Sequence, residues 1–369
     1  MPTGSRQEGT SGVSRVSGRT RSVRLHRVEA LQSKSRAAWL WALVPAFGLF
    51  ELGLHVWQVQ RALKAEDWDA AVRDLGGLSP QIGIAVSPAW AEPVARRALG
   101  PLATFERFGV SDYSHYDMVV ELQIDALTAT PAPSVWTQLF GARPRSVLPD
   151  DWSYSSAGAH TSGRISHILR LNPHPEFMVT DLLALAARGS DEDLSVFRGS
   201  PGAELPCTWR SGAPRVEADQ DAWGVSRAGH YVQCADETKM SVQVLADHDR
   251  RPRRCFFAPT AGFGARTRLV FHKVHFARIA RMHDGLHSFQ EDPGNHGNDV
   301  RVSLSVRGID DRGAPSELRL GGDTHKDGES WKRFDVDTSA VPAGEEGDLL
   351  VDIESDGQPR NFCLEGSTR

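Results

Sequence analysis

The sequence predicts an α/β domain followed by an all-β jelly-roll sandwich, with one N-terminal transmembrane helix. Three observations predict this: an apolar run at 37–59, a helix–strand–helix succession between 66 and 99, and a series of short alternating segments after residue 250. They divide the chain into a disordered basic cytoplasmic arm (1–36), the transmembrane helix (37–59), the α/β domain (60–200), a disulfide-stapled linker (201–249) and the β-sandwich (250–369).

The apolar run at 37–59 is long enough to cross a membrane as a helix. At about 1.5 Å per residue it spans roughly 34 Å, against about 30 Å for a hydrocarbon core. Residues 1–36 hold eight Arg and Lys against two Glu, so the positive-inside bias places the N-terminus in the cytoplasm. We expect an uncleaved signal anchor in a bacterial cytoplasmic membrane, with periplasmic or extracellular C-terminal domains. The alternatives are a buried core helix and a cleaved secretory signal.

The charge distribution argues against nucleic-acid binding. The chain has a net charge of −5 and residues 1–36 carry +6, which leaves −11 for residues 37–369. The arm is rich in Ser, Gly and Arg without an apolar period, which predicts disorder; its charge suits either a topology signal alone or contact with anionic lipid headgroups. The expected partners are the lipid bilayer, a glycan and a polytopic membrane protein. Glu51 and His55 share a helical face that suits such a protein, with interfacial snorkelling as the alternative.

The α/β domain is predicted from apolar spacing and turn residues. Trp68, Ala71, Val72 and Leu75 share one face of a helix that ends at Gly76. The other predicted elements are a buried strand at 82–86, a helix at 88–99, a segment at 118–127 that suits a helix or a strand, a strand at 163–171, and a helix at 180–188 with Thr180 as its N-cap.

Asp150 and Asp151 are the paired carboxylates of this domain. Such a pair beside Trp152 suits a glycosidase, but adjacent Asp side chains project in different directions, which favours a solvated turn. The sequence contains no nucleophile-elbow, zincin or Walker motif. We therefore expect no catalytic residue and a non-catalytic protein, with an enzyme acting on envelope polysaccharide as the alternative.

The sandwich is predicted from strand-length alternation. Val300, Val302, Leu304 and Val306 alternate with polar residues, as in a strand with one face in water. The eight predicted strands lie at 255–258, 267–272, 278–282, 299–307, 317–320, 331–337, 348–354 and 361–365. Many short strands separated by turn-rich segments are typical of a jelly roll.

The four cysteines, Cys207, Cys234, Cys255 and Cys363, all lie on the predicted outer side of the membrane. Their even number and the lack of a C-x-x-C pair favour disulfides over a metal site. Three pairings are open. We prefer Cys207 with Cys234 and Cys255 with Cys363, because the first and last strands of a jelly roll are commonly antiparallel neighbours. Within the first loop, His230 and Tyr231 suit packing better than ligand contact.

Two groups of motifs resemble known families. The run GESWKRFDVDTS, between DVRVSLSVRG and DLLVDIESDGQPRNFCLEG, resembles galactose-binding-like, carbohydrate-binding jelly-roll modules. The runs VSPAWAEPVARRALG, DYSHYDMVVELQI and GRISHILRLNPHP resemble the soluble extracytoplasmic region attached to some bacterial dolichyl-phosphate-mannose-type membrane glycosyltransferases. Those enzymes are polytopic, whereas this chain has one candidate span. The resemblance therefore implies an accessory or sensory region and no catalytic residue.

A sugar-binding jelly roll needs an aromatic platform and hydrogen-bonding groups in its end loops. The residues that suit this role are His283, Asp284, His287, His325, Trp331 and Arg360, each with a packing or pairing role as its alternative. Asp292, Asp299 and Glu365 would suit a structural Ca²⁺, but no calcium-loop motif supports one and we expect no cofactor and no metal. The predicted function is a membrane-anchored envelope protein that binds carbohydrate or serves a membrane glycosyltransferase as an accessory.

Overall fold

The structure, a computed structural model, describes residue 43 and residues 45–53, 63–124, 147–154, 160–162, 165–212, 229–247, 251–286, 298–309 and 315–369. The chain divides into two compact units, Met1–Ala62 and Leu63–Arg369. The arm predicted at 1–36 lies outside the described residues, and so do His287 and Asp292.

In the first unit, residues 45–53 form a helix whose apolar side chains Phe47, Leu49, Phe50 and Leu52 are exposed. This helix lies inside the apolar run at 37–59, most of which is outside the described residues. Among the helices that the structure describes, none has both the length and the apolar character needed to cross a membrane. The transmembrane helix therefore stays a prediction.

The α/β part of the second unit is built on a small sheet of five strands. Their order is β1-β2-β5-β3, with β4 also paired to β5; β1 and β2 run parallel and the other pairs run antiparallel. The strands are β1 (Gly83–Ser87), β2 (Met118–Ile124), β3 (Ser153–Tyr154), β4 (His160–Ser162) and β5 (Ile165–Leu171). The strands predicted at 82–86 and 163–171 are confirmed. The open segment at 118–127 is a strand up to residue 124, because both of its edges pair in the middle of the sheet.

Two helices pack on the small sheet, α1 (Ala65–Gly76) and α2 (Glu92–Leu99). The predicted face of α1 is confirmed, since Trp68, Ala71 and Leu75 are buried in the core. The predicted helix at 88–99 begins with a 3₁₀ turn. α2 ends at Leu99 and is followed by Gly100, whose φ of 54° favours glycine.

The rest of the second unit is a sandwich of two antiparallel sheets. The eight-stranded sheet has the order β17-β14-β19-β12-β11-β10-β9, with β6 on β19, and the six-stranded sheet has the order β16-β15-β18-β13-β7-β8. The bounds are β6 (Thr180–Asp181), β7 (Leu194–Gly199), β8 (Leu205–Pro206), β9 (Thr208–Ser211), β10 (His230–Gln233), β11 (Lys239–Ala246), β12 (Pro252–Phe257), β13 (Arg266–His275), β14 (Ile279–Leu286), β15 (Val300–Ile309), β16 (Pro315–His325), β17 (Lys332–Asp337), β18 (Glu346–Ser355) and β19 (Phe362–Thr368).

The core of the sandwich lies between these sheets. The predicted inner face of β15 is confirmed, because Val300, Val302, Leu304 and Val306 are all buried there. A short helix, α3 (Leu182–Ala187), adds apolar side chains to the same core. Its N-cap is Asp181, whose carboxylate accepts hydrogen bonds from two backbone amides of α3 at 2.9 and 3.1 Å. The prediction of Thr180 as the N-cap is wrong, because the Thr180 hydroxyl donates to the carbonyl of His275 and the helix begins one residue later in the chain.

The sandwich begins earlier in the chain than the predicted boundary at residue 250. Strands β6 to β11, all within residues 180–246, belong to its two sheets, including much of the segment predicted as a linker at 201–249. Their apolar side chains, such as those of Leu194, Val196 and Val232, fill the sandwich core. Short strands of this kind gain their stability from the sheet that they join, which a local pattern does not show.

Both disulfides form in the pairing that the sequence analysis preferred. Cys207 pairs with Cys234, and Cys255 pairs with Cys363 across a sequence separation of 108 residues. The second bond joins β12 and β19, which hold these two cysteines and are antiparallel neighbours, as predicted. Two disulfides and no free cysteine indicate an extracytoplasmic domain.

Candidate functional site

The outer face of the eight-stranded sheet is covered by the α/β part. Trp331 Nε1 donates to Ser111 Oγ at 2.9 Å, and Arg281 Nη1 donates to Asp112 Oδ2 at 2.8 Å. Arg281 also contacts Glu176 and Asp335, and its side chain is only 2% exposed. A face occupied in this way has no room for a large ligand.

Several charged side chains form ion pairs beneath the α/β part. Burial by itself would raise the pKa of the Asp112 carboxyl. The guanidinium groups of Arg369 and Arg281, together with a hydrogen bond from the Ser114 amide, outweigh burial and hold that pKa well below its usual range. The cluster of Arg281, Asp112, Glu176 and Arg369 therefore joins the α/β part to the sandwich as a set of ions.

The outer face of the six-stranded sheet differs because it carries an open groove. The alternation of β15 directs Arg301, Ser303 and Ser305 away from the core, opposite the buried valines. The groove has a volume of about 530 Å³. Its lining includes the side chains of Arg266, Arg268, Arg301, Ser303, Ser305, Glu317, Arg319, Asp323, Thr324, Asp352 and Glu354.

Arg268 is the centre of the groove's hydrogen-bond network. Its guanidinium donates to Asp352 at 2.6 and 2.8 Å and to Glu317 at 2.8 and 3.1 Å. The hydrogen bonds that Arg268 donates to the Asp352 carboxylate raise the pKa of Arg268 above its usual value, although burial opposes this. Arg266 donates to the same carboxylate at 3.1 Å. Two arginines and two carboxylates are thereby fixed in one array, and a ligand meets donors and acceptors that are already oriented.

The groove has no excess of either charge. Four arginines and four carboxylates line it. Among the described residues, Arg319 has no carboxylate within ion-pair distance, so its donors face the groove without a protein anion. The site is therefore a neutral polar surface rich in preoriented hydrogen-bonding groups, with hydroxyls from Ser303, Ser305 and Thr324 among them.

The structure places His283 on the covered side of the sandwich, in a pocket of about 310 Å³ between the α/β part and the eight-stranded sheet. His283 Nδ1 lies 3.5 Å from Glu365 Oε1. Burial lowers the pKa of His283 to about 3 and raises the pKa of Glu365 to about 7. Both groups are therefore held toward their neutral forms in a pocket whose other charges, such as Asp112 and Arg369, pair with each other.

Asp284 and His325 are brought together from opposite sheets. His325 Nδ1 lies 2.8 Å from Asp284 Oδ1, and its Nε2 lies 3.1 Å from the carbonyl oxygen of Glu329. Both side chains are at most 1% exposed. Burial raises the pKa of Asp284, although the hydrogen bond with His325 opposes this.

Trp331 and Arg360 lie apart from the groove as well. Trp331 packs over Gly285 on the covered face, and Arg253 lies 5.9 Å from its ring centroid. Arg360 Nη2 donates to Asp327 at 2.7 Å. None of the five described candidates lines the groove, and a role for His283, Asp284, His287, His325, Trp331 or Arg360 in ligand binding stays a prediction.

The remaining described site candidates from the sequence analysis do not line the groove. Asp150 and Asp151 are exposed on a turn that precedes β3. Among the described ranges, no three His, Cys, Asp or Glu side chains form a group that would hold a metal ion. Asp299 accepts a hydrogen bond from the amide of Asp327, and Glu365 lies in the pocket on the covered side.

The arginine and carboxylate array is the feature that sequence reasoning missed. Its signal was present in the polar half of β15, where Arg301, Ser303, Ser305 and Arg307 alternate with the core residues. The array needs three further strands, β13, β16 and β18, that are distant in the chain. Residue spacing alone does not show which strands become neighbours.

No protein-family model matches the chain, and no curated protein matches it. Solved structures with similarity include the CBM22-1 xylan-binding domain from Paenibacillus barcinonensis Xyn10C, with a TM-score of 0.23 and 14% identity over 35% of this chain and 79% of that one. A carbohydrate-binding module specific for non-crystalline cellulose, CBM28, has a TM-score of 0.24 and 9% identity over 35% and 76%. A family 11 module from Clostridium thermocellum has a TM-score of 0.23 and 8% identity over 48% and 88%. At these scores, function has to be inferred from the chain's own side chains.

Proposed function

We propose that this chain is an envelope protein whose sandwich binds a neutral glycan in the groove of the six-stranded sheet. The observation that carries the proposal is the array around Arg268, in which bidentate ion pairs hold donors and acceptors in place on an open face. A sugar hydroxyl both donates and accepts hydrogen bonds, so it suits a surface that offers both. Preoriented groups lose little entropy on binding.

The charge balance favours a neutral glycan over an anionic one. Equal numbers of arginines and carboxylates produce no net field to attract a polyanion. Most of the arginine donors already face carboxylates, which would repel a ligand carboxylate. Polar grooves of several hundred Å³ are large enough for a short stretch of oligosaccharide.

The location follows from the disulfides and the predicted anchor. Two disulfides favour an oxidising compartment. With the helix predicted at 37–59 as anchor, the second unit would bind glycan outside the cytoplasmic membrane while tied to it. Service to a membrane glycosyltransferase, with Glu51 and His55 as the contact, stays a prediction. Unchanged co-purification of membrane proteins after Glu51→Leu with His55→Leu would contradict that contact.

Calorimetry tests the groove. The full-length chain in detergent is titrated with xylan, mixed-linkage β-glucan and mannan, with polygalacturonate as the anionic comparison. We expect at least one neutral polymer to bind, and Arg319→Ala to weaken binding by about tenfold or more, because a charge-assisted hydrogen bond contributes roughly 1.5–3 kcal/mol.

Arg319 is chosen because its removal leaves no described carboxylate without its partner. Arg278→Ala is the matched control, since Arg278 is exposed and lies outside the groove. Equal affinity of the Arg319→Ala and Arg278→Ala variants, or binding of polygalacturonate alone, would overturn the proposal.

A further inference from the structure

Three side chains beside the groove form a continuous hydrogen-bonded row on the same face. Ser195 Oγ lies 2.9 Å from His272 Nε2, and His272 Nδ1 lies 2.8 Å from Asp348 Oδ1. The three residues come from β7, β13 and β18, which are consecutive neighbours in the six-stranded sheet. A hydroxyl, an imidazole and a carboxylate in this order are the parts of an activated nucleophile.

The backbone of β13 is irregular next to His272. The register of β13 with β18 shifts between Phe271 and Val274, and Lys273 within this bulge has a φ of 57°. Positive φ is uncommon for residues other than glycine, and bulges re-aim side chains next to functional sites. His272 lies at this bulge, and its amide donates to the carbonyl of Asp193 at 2.9 Å.

The partners of His272 determine which nitrogen carries the proton. Asp348 accepts at Nδ1, so the Nδ1–H tautomer leaves the Nε2 lone pair facing the Ser195 hydroxyl. The carbonyl of Asp191, at 3.2 Å, is a more distant acceptor for the same hydroxyl. Arg307 Nη1 lies 3.4 Å from Asp348 Oδ2 and pairs with this carboxylate. The side chains of His272 and Asp348 are 24% and 27% exposed, so a substrate can reach the row from solvent.

We propose that Ser195, His272 and Asp348 form a hydrolytic centre that cleaves small acyl esters. Ser195 Oγ attacks the ester carbonyl carbon and its proton passes to His272 Nε2. The bond to the alcohol oxygen breaks, and the alcohol leaves with that proton. Water then attacks the acyl-serine and gives a proton to His272, the carboxylic acid departs, and Ser195 regains its proton. The products are one alcohol and one acid for each ester and water consumed.

The position of the row indicates the substrate class, and this inference rests on the proposed glycan groove. Asp348 and Asp352 are four residues apart on β18, and His272 and Arg268 are four apart on β13, so the row lies roughly 13 Å along the strands from the centre of the groove. A glycan in the groove would extend over the row. Because the row lies on a partly exposed sheet face, the ester would carry a short acyl group such as acetyl.

A fluorophosphonate probe and p-nitrophenyl acetate test the centre on the full-length chain without any glycan. We expect mass spectrometry to find the phosphonyl group on Ser195, and Ser195→Ala and His272→Gln to lose labelling and to slow ester hydrolysis by at least about a hundredfold. Ser200→Ala, an exposed serine just after β7, is the control and should leave both readouts unchanged. Unchanged thermal midpoints show that the variants fold.

An unlabelled Ser195, or equal hydrolysis by the Ser195→Ala variant and the parent chain, would overturn the hydrolytic centre. Labelling of Ser195 and p-nitrophenyl acetate hydrolysis are measured without glycan, whereas glycan binding is measured by calorimetry on the parent chain, so the two proposals fail separately. Acetate release from O-acetylated xylan, lost in the Ser195→Ala variant and in the Arg319→Ala variant, tests the substrate class. Labelled Ser195 without acetate release from any O-acetylated polysaccharide would overturn that class alone.

Discussion

The two outer faces of the sandwich carry similar residues and differ in what covers them. On the eight-stranded sheet, Arg281 lies beneath the α/β part and is 2% exposed, and its carboxylate partners Asp112 and Asp335 are 11% and 31% exposed. On the six-stranded sheet, Arg301 and its partners Glu354 and Asp356 lie at the edge of an open groove. The same chemistry therefore joins two parts of a protein on one side and remains available to a ligand on the other.

Burial changes what an ion pair does for the protein. An exposed pair contributes little stability because water and salt screen it. A buried pair contributes little net stability either, yet the loss of one partner is costly because the other charge is left in a low dielectric. The covered face should thus respond to substitution with unfolding, and the open face with a change in binding.

Arg281→Met is expected to have the largest effect on stability. It would leave Asp112, Glu176 and Asp335 with fewer cationic partners, and removing one partner of a buried pair costs about 3–5 kcal/mol. The free energy of unfolding from urea denaturation measures this. A loss below about 1 kcal/mol would show that the cluster is solvated.

Glu365→Gln is expected to stabilise the protein above pH 7. Burial raises the pKa of Glu365 from 4.5 to about 7, so the folded state binds a proton that the unfolded state releases between these values. Stability from this group therefore falls as pH rises from 4.5 to 7. At pH 8 the variant should gain at most about 3 kcal/mol, at roughly 1.4 kcal/mol per pKa unit.

The comparison of the variant with the parent chain at two pH values isolates Glu365, because His283 titrates in both proteins. We expect the gain in the free energy of unfolding at pH 8 to vanish at pH 4, where the parent carboxyl is protonated in both states. An equal gain at both pH values would mean that packing, not charge burial, causes it.

Trp331→Phe tests the contact between the two parts with a smaller change. It removes the hydrogen bond from Trp331 Nε1 to Ser111 Oγ while keeping an aromatic ring over Gly285. A hydrogen bond contributes about 1 kcal/mol. The thermal midpoint measures the change, and a double-mutant cycle with Ser111→Ala should give a coupling energy of about 1 kcal/mol between the two residues. A coupling energy near zero would contradict the contact.

Arg301→Met on the open face is expected to change stability least. The Arg301 side chain is 54% exposed, and its ion pairs with Glu354 and Asp356 are screened by water. We expect a loss below about 0.5 kcal/mol in the same urea titration. A loss comparable to that of Arg281→Met would contradict the distinction between the faces.

Local elements were predictable wherever one face of the element is buried. The face of α1 and the inner residues of β15 follow from spacing alone, because burial selects apolar side chains at a fixed period. The capping of α3 was wrongly predicted, since Thr180 and Asp181 are both good caps and the Thr180 hydroxyl is engaged with the carbonyl of His275. Of the missed strands β6 to β11, four have four residues or fewer and gain their stability from the strands beside them.

The candidate site was far less predictable than the fold. Reasoning from residue type selected histidines and a tryptophan, and the structure places His283 and Trp331 beneath the α/β part. The groove uses arginines and carboxylates, which are common on any surface and carry no local signature. Ser195, His272 and Asp348 are likewise ordinary residues until three strands bring them within hydrogen-bond distance.

The amino-acid sequence was sufficient to predict the apolar period of individual helices and strands and the β-rich C-terminal half. Both depend on the spacing of apolar side chains along one element, which is a local quantity. Tertiary structure decided which sheet face is covered and which is open. That choice depends on strand order and on where the α/β part packs, and both are set by contacts between residues more than a hundred positions apart, such as Arg281 with Asp112.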